Sequence, residues 1–240
     1  MNRVVITGMG VVSPVGNDMN TFWSNLVAGK HGISIIDRFD VSENEVKVAG
    51  QVKDFDPSKA FDKKELRHTD LFCQYAVEAA RQALEDSGSD FKEMDPFRVG
   101  VIVGSGIGGF GTTEIEHAKF LEKGPKRVSP YYIPMMISNM AAGTIAIHTG
   151  FKGANYAPVT ACATSAHAVG EAYHKIKHGY LDVCVAGGTE AAISEFALAG
   201  FNNMKALSHS ADPDRASIPF DKERDGFVMA EGAGILILEE

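Results

Sequence analysis

The sequence is poor in cysteine and contains no long apolar run. Its three cysteines, Cys73, Cys162 and Cys184, cannot all pair, and none of them forms a Cys-x-x-Cys motif. This argues against a disulfide framework or a zinc ribbon and fits a reducing compartment. No apolar segment approaches the ~20 residues that a membrane span requires. We therefore expect a cytoplasmic protein that does not interact with membranes.

The chain also lacks an excess of positive charge. Its 240 residues include 31 acidic and 23 basic side chains, which gives a formal net charge of −8. This balance argues against a chain-wide affinity for nucleic acid or an anionic membrane, and it leaves room for a local basic patch. Hydrophobic residues make up 45 % of the chain and charged residues 22 %, as is typical of a globular protein with a substantial core.

Short runs rich in valine and isoleucine alternate with helical patterns. Val99 to Val103 and Val183 to Ala186 are each followed by glycine and are typical of strands covered on both faces. Glu65 to Asp86 repeats apolar side chains at spacings of three and four before Gly88, which predicts a helix. A second helix is predicted over Ala163 to His178. Further predicted strands are Val4 to Ile6, Ile235 to Leu238 and, at an edge or in a hairpin, Val46 to Val52. Strands alternating with helices predict a layered α/β fold.

Cys162 lies where an extended segment gives way to a helix. Pro158 discourages a helix before it, and small residues surround it. A cysteine at a helix N-terminus is favoured as the thiolate by unpaired backbone N–H groups and the positive end of the helix dipole. Because the thiolate is the nucleophilic form, Cys162 is a candidate acyl-accepting nucleophile, with a buried structural cysteine as the alternative. Cys73 and Cys184 lie in apolar patterns and are interpreted as core residues.

The histidines near this segment offer neither an obvious base nor an obvious metal site. His167 follows Cys162 by five residues, which places it ~140° around the helix and roughly 7 Å along it. A direct bond between the two is therefore not expected, and His167 is interpreted as a packing or helix-positioning residue. His174 and His178 have metal-compatible spacing, but they lack a third ligand and lie beside two lysines. They are interpreted as part of a solvated face, and we expect no metal.

A glycine-rich loop follows one predicted strand. Residues 104–109, Gly-Ser-Gly-Ile-Gly-Gly, satisfy the G-x-G-x-x-G pattern, which alone is a weak signal for a dinucleotide site. No acidic residue ends a second strand about 20 residues later, as dinucleotide binding requires. A loop that shapes a pocket is therefore the favoured interpretation, and a cysteine-dependent dehydrogenase using NAD is the alternative.

The segment Val159-Thr-Ala-Cys-Ala-Thr-Ser165 resembles the active-site motif of the β-ketoacyl-acyl carrier protein synthases, in particular the type II elongation enzymes. The similarity spans all 240 residues and includes the segments 4–10, 104–109, 187–190, 205–208 and 220–228. The resemblance implies a thiolase-like layered fold with a mixed, mostly parallel five-stranded sheet flanked by helices. It also implies one domain over residues 1–240, the first of two similar halves. The second half, which normally carries two catalytic histidines, a lysine and a gating phenylalanine, is absent.

The resemblance further implies a 3-oxoacyl-[acyl carrier protein] synthase of fatty acid biosynthesis. Cys162 would form a thioester with an acyl chain, and the enolate left when malonyl-carrier protein loses CO2 would attack that thioester. The backbone N–H of Cys162 would contribute to the oxyanion hole. The family needs no cofactor, is homodimeric and binds acyl carrier protein; a fragment that only binds the carrier protein is the alternative. The positions that match the family's acyl pocket are Ile107, Tyr132, Ala161 and Phe201, and those that match its carrier-docking surface are Lys64, Arg67, Lys126, Arg127 and Lys205. His68 departs from the lysine that is common there.

Overall fold

Seven strands and seven α-helices make up the computed structural model, which describes residues 1–240. The strands are β1 (Val5–Val12), β2 (Ile33–Ile35), β3 (Val48–Gly50), β4 (Val99–Gly104), β5 (Asn155–Tyr156), β6 (Val183–Glu190) and β7 (Gly232–Glu239). The helices are α1 (Met19–Val27), α2 (Leu71–Ser87), α3 (Phe110–Lys123), α4 (Tyr132–Met136), α5 (Met140–Thr149), α6 (Thr164–Lys177) and α7 (Glu195–Asn203). None of these helices combines the length and the apolar character needed to cross a membrane.

Five strands form one sheet in the order β1-β7-β6-β4-β5. β4 is parallel to β5 and β6, whereas β7 is antiparallel to both of its neighbours. Four strands therefore point one way and β7 opposes them, which confirms the predicted mixed, mostly parallel sheet. β2 and β3 form a separate antiparallel pair, so the predicted Val46–Val52 strand belongs to this small second sheet.

Helices cover both faces of the large sheet. Val101 and its alternate neighbours along β4 pack with α2 and α5 in the largest core cluster. Ile102 points to the opposite face, where it packs with α6 residues such as Ala168 and Ile176. Because successive side chains of a strand point to opposite faces, a strand buried on both sides needs a continuous apolar run. This is why β4 and β6 could be predicted from their sequences.

The first predicted helix is interrupted, and this part of the prediction was wrong. Residues Glu65–His68 form a separate 3₁₀ turn, Thr69 is extended, and α2 begins only at Leu71. The Asp70 side chain caps α2 by accepting a hydrogen bond from the Phe72 N–H at 3.2 Å. Gly88 ends α2 in the left-handed conformation, with φ 63°, as predicted.

α2 lies unusually close to β1, and two glycines of the strand make this approach possible. A Cβ atom at Gly8 would lie 2.0 Å from the Ala83 carbonyl oxygen, and one at Gly10 would lie 1.9 Å from the Ala79 carbonyl oxygen. The glycines are therefore packing residues within a longer β1, which runs to Val12 rather than ending at Ile6. The predicted second helix is observed as α6 with boundaries one residue different at each end.

Candidate active site

Cys162 lies in a strained turn that leads directly into α6. The turn is the 3₁₀ segment Ala161–Ala163, and α6 begins at the next residue. Ala161 adopts φ 51°, a left-handed conformation that is uncommon for a residue with a Cβ atom. The Thr160 N–H donates to Oγ1 of Thr164 at 2.8 Å, which fixes the chain on either side of the turn. Cys162 is exposed at this helix start, as the sequence predicts.

An open cavity of about 630 Å³ surrounds the Cys162 side chain. Ile107, Ala161 and Phe201, three of the four predicted pocket residues, line it together with Cys162. Tyr132 does not line this cavity; it is the first residue of α4. The segment 227–234, which includes the first residues of β7, also lines the cavity, and the sequence did not identify it as part of a site.

The glycine-rich loop after β4 lines the cavity and is tied to the half-buried carboxylate of Glu190. Ser105 donates through Oγ to Oε1 of Glu190 at 2.8 Å, and the Gly106 N–H donates to Oε2 at 2.9 Å. The Gly108 N–H donates to Oγ of Ser105 at 2.9 Å. Burial raises the pKa of Glu190, and the hydrogen bonds from the loop oppose this shift. The Gly106 N–H donates to Glu190 and is therefore not free to bind the diphosphate of a dinucleotide. This favours a loop that shapes the cavity over a dinucleotide site.

The carboxylate of Glu231 is buried and holds the segment 227–234 in place. Both oxygens of Glu231 accept from the Arg38 guanidinium, at 2.6 and 2.9 Å. Oε1 also accepts from the Val52 N–H at 3.0 Å and from the Tyr75 hydroxyl at 3.2 Å. The Glu231 carboxylate holds the pKa of Arg38 above its ordinary value. Four separate parts of the chain are therefore joined at this carboxylate. Sequence reasoning missed Glu231 and any role for Glu190, although Glu190 lies within one of the family-like motifs.

None of the residues that line the cavity around Cys162 is a histidine. Nδ1 of His167 lies 2.8 Å from Oγ1 of Thr160, and the ring is exposed. The expectation of a packing histidine was therefore wrong, whereas its role in positioning the start of the helix agrees with this bond. His174 and His178 are exposed and stack with ring centroids 5.8 Å apart, which confirms a solvated face.

The other two cysteines are core residues, as predicted. Cys73 has 2 % of its surface exposed and Cys184 has none. Burial raises the pKa of each thiol to about 12. Both thiols are therefore protonated at neutral pH and shielded from solvent, whereas Cys162 is exposed.

The basic residues that match a docking surface are all exposed, and none of them forms a salt bridge. Lys64 directly precedes the turn 65–68, which contains Arg67. Lys126 and Arg127 lie in the turn 125–127. His68 stacks on Tyr131 with ring centroids 3.6 Å apart, which joins these two turns at one surface. Lys205 follows α7 and adopts φ 53°.

Comparison with known proteins identifies the fold and the family. Residues 1–240 match the family model described as the N-terminal domain of β-ketoacyl synthases. The chain is 49 % identical over 237 residues to 3-oxoacyl-[acyl-carrier-protein] synthase 2 of Staphylococcus aureus strain COL, covering 99 % of this chain and 57 % of that protein. It is 48 % identical to the protein of the same name from Synechocystis, covering 99 % and 58 %.

Solved structures agree with this assignment. A β-ketoacyl synthase from Burkholderia phymatum superposes with a TM-score of 0.90 at 32 % identity, covering 100 % of this chain and 59 % of the other. A ketosynthase solved in complex with its type II PKS acyl-carrier protein superposes with a TM-score of 0.81 at 29 % identity, covering 99 % and 58 %. The chain thus spans somewhat more than half the length of the proteins that it matches. With its thiolase-like fold and a family match over its whole length, the chain belongs to the β-ketoacyl synthase family.

Proposed function

We propose that Cys162 accepts an acyl group from a thioester donor, as the first half of a 3-oxoacyl-[acyl carrier protein] synthase reaction. The observation that carries this proposal is the exposed thiol on a strained turn at the start of α6, inside a cavity of about 630 Å³. The sulfur attacks the donor's carbonyl carbon, the carbon–sulfur bond of the donor breaks, and the carrier thiol leaves with the proton. The cavity lining of Ile107, Ala161 and Phe201 supports an apolar acyl chain as the occupant.

The second half of the proposed reaction is decarboxylative condensation with malonyl-carrier protein. The proton-transfer groups for that step are not among the residues that line the cavity, whose only ionisable side chains besides Cys162 are Glu190 and Glu231. Both carboxylates already accept several hydrogen bonds. We therefore assign residues 1–240 to one domain, the first of two similar halves, and assign the condensation chemistry to the part of the relatives that this chain does not match.

Acyl carrier protein is the proposed partner. The exposed, unpaired side chains of Lys64, Arg67, Lys126 and Arg127 would attract an acidic partner, and their proximity through the His68–Tyr131 stack supports a single docking surface. Lys205 is exposed as well and is proposed to contribute to docking. A homodimer is also proposed. Its support is a set of exposed large apolar side chains that a second copy would cover: Ile115, Leu121, Ile133 and Ile147, each at least 57 % exposed. The three free cysteines are compatible with a reducing, cytoplasmic setting.

The test is a two-stage assay with the 240-residue chain. Incubation with acyl-carrier protein should add one acyl mass, located on Cys162 by peptide mass spectrometry, and Cys162→Ala should abolish the addition. Cys73→Ala is the matched control and should keep it. Addition of malonyl-carrier protein should then release no CO2. Robust CO2 release would contradict the assignment of condensation to the part of the relatives that this chain does not match.

A second candidate is a domain that binds carrier protein without reacting. The five unpaired basic side chains favour it, because they would bind the partner whether or not the thiol reacts. Titration with acyl-carrier protein distinguishes the two. Binding that weakens in Lys126→Glu, combined with no acyl adduct on Cys162, would establish this candidate in place of the first.

A further inference from the structure

Glu190 occupies a position that the sheet itself determines. β4 and β6 are parallel, and Gly104 pairs with Gly188 at their carboxyl ends. Two residues beyond each glycine, Gly106 and Glu190 therefore come side by side, and the Gly106 N–H donates to the carboxylate. Ser105 donates a second hydrogen bond to the same carboxylate and receives one from Gly108. We call this arrangement of Glu190, Ser105, Gly106 and Gly108 the loop clamp.

The loop clamp holds the residues on either side of Ile107. This residue is between the two clamped amides, and its side chain is 40 % exposed in the cavity that contains Cys162. Little space remains around the clamp, because a Cβ atom at Gly106 would lie 2.9 Å from Oε2 of Glu190 and 3.5 Å from the carbonyl oxygen of Ala161. The loop is therefore packed between the carboxylate and the turn that presents the nucleophile.

The far side of the loop is also closed. A Cβ atom at Gly108 would lie 2.4 Å from the Met136 carbonyl oxygen and 3.1 Å from the Ser138 nitrogen. The Gly109 N–H donates to the same Met136 oxygen at 3.0 Å. Backbone on this side does not yield as a flexible side chain would, so a loop released from Glu190 is blocked here. The open cavity that Ile107 lines leaves room for a shift in that direction. Such a movement would carry Ile107 into the space that an acyl chain needs.

We propose that Glu190 is a positioning residue that holds Ile107 back from the cavity through the loop clamp and thereby admits long acyl chains to Cys162. This inference rests on the proposed acyl transfer and adds a determinant of chain length to it. Glu190 touches neither the reacting sulfur nor the thioester carbonyl in this role. An acetyl group needs no space beyond the sulfur, so only longer chains depend on the position of Ile107.

The test compares two acyl donors in three variants. The wild-type chain, Glu190→Gln, Ser105→Ala and the double variant are each incubated with acetyl- and dodecanoyl-pantetheine, and the rate of Cys162 acylation is measured by intact mass. Glu190→Gln presents an amide N–H₂ to one of the two donors and so loses one hydrogen bond to a charged acceptor. The ratio of dodecanoyl to acetyl transfer should fall about tenfold. Ser105→Ala should also lower the ratio, and because the two residues act through one clamp, the drop in the double variant should be smaller than the product of the two single drops.

The controls separate positioning from damage to the fold. Glu195→Gln removes an exposed carboxylate at the start of α7 and should leave the ratio unchanged. Alkylation of Cys162 by iodoacetamide, which needs no acyl space, should be equal in all variants. An unchanged ratio in Glu190→Gln, or equal losses with both donors and with iodoacetamide, would overturn the inference.

Failure of the proposed function has a different signature. In that case the wild-type chain is acylated by neither donor. Hydrogen exchange at residues 106–108 then tests whether Glu190 holds the loop through the clamp. Exchange there should be faster in Glu190→Gln while residues 99–103 of β4 stay protected, and equal exchange in the two proteins would refute the clamp.

Discussion

Nδ1 of His167 lies 2.8 Å from Oγ1 of Thr160, so the histidine is bonded to the segment before the nucleophile rather than to the nucleophile itself. The bond spans from the first turn of α6 back across the strained turn at Ala161. It complements the bond from the Thr160 N–H to Thr164. His167 therefore helps to fix where Cys162 lies, and its ring nitrogen is engaged elsewhere.

This relationship predicts a small effect of His167→Ala on the reactivity of Cys162. Loss of one exposed hydrogen bond should change the iodoacetamide alkylation rate at pH 7 by no more than about threefold. Thr160→Val removes the hydroxyl partner of the same bond and should change the alkylation rate by a similarly small factor. Loss of a general base lowers rates by roughly 10²–10⁴-fold, so a drop of that size in His167→Ala would identify a base.

The three cysteines should differ sharply in alkylation rate. Cys162 is exposed, whereas burial raises the pKa of Cys73 and of Cys184 to about 12. A thiol with that pKa is about 10⁻⁵ thiolate at pH 7 and is shielded from reagent as well. Peptide mass spectrometry of the folded protein treated with iodoacetamide should find the label on Cys162 alone at early times. Equal labelling of Cys184 would contradict the buried position of that residue.

Gly10→Ala should destabilise the fold through the contact between β1 and α2. The added Cβ would lie 1.9 Å from the Ala79 carbonyl oxygen, so the strand and helix would have to separate. Overpacking of this kind costs about 2–3 kcal/mol in the free energy of unfolding.

Gly111 supplies the matched control for that substitution. It lies within α3, and a Cβ there would meet nothing within 4 Å. Gly111→Ala should therefore stabilise the protein by roughly 0.5–1 kcal/mol. Urea unfolding of both variants measures the contrast, and equal effects of the two substitutions would show that close packing at Gly10 is unimportant.

The raised pKa of Asp70 predicts how its contribution to the free energy of unfolding changes with pH. Its carboxylate accepts from the Phe72 N–H and from Oγ1 of Thr112 at 2.5 Å, yet burial is the larger influence and raises its pKa above the usual 3.8. The folded state therefore binds this proton more tightly than the unfolded chain does. The contribution of Asp70 to stability is greatest below pH 3.8 and decreases as the pH rises toward the folded-state pKa.

Asp70→Asn removes this titration while it keeps a good helix cap. The difference in unfolding free energy, wild type minus variant, should fall as the pH rises from 3.8 and become constant above the folded-state pKa of Asp70. Urea unfolding at a series of pH values measures it, and the other carboxylates cancel because both proteins contain them. A difference that grows with pH would mean that the hydrogen bonds outweigh burial.

Local patterns were sufficient to predict β4, β6 and α6. Each strand is covered on both faces and so needs a continuous apolar run, and α6 ends where Gly179 adopts φ 75°. The exposed position of Cys162 at the start of α6 also follows from neighbouring residues. The apolar periodicity predicted a continuous helix through Asp70. The structure instead has a 3₁₀ turn before this residue, and the Asp70 side chain caps a helix that begins at Leu71.

The residues that sequence reasoning missed depend on contacts between distant parts of the chain. Glu190 bonds to Ser105, and Glu231 bonds to Arg38, so no local spacing could reveal either pair. The predicted first strand ended at Ile6, before Gly8 and Gly10, and only the packing of α2 against β1 shows why glycine is required at these two positions. Tyr132 was assigned to the pocket by family resemblance alone, and the cavity around Cys162 does not include it.

The pairing of β1 with β7 constrains how this chain can fold as it is synthesised. Val5 pairs with Glu239 and Val12 with Ala233, so the first strand finds its only sheet neighbour in the last one. At translation rates of about 5–20 residues per second, the nascent β1 waits roughly ten seconds or more for that neighbour. During this time Val5, Ile6 and their backbone groups form an unpaired apolar edge. Protection of the nascent chain by a chaperone would matter most over this interval.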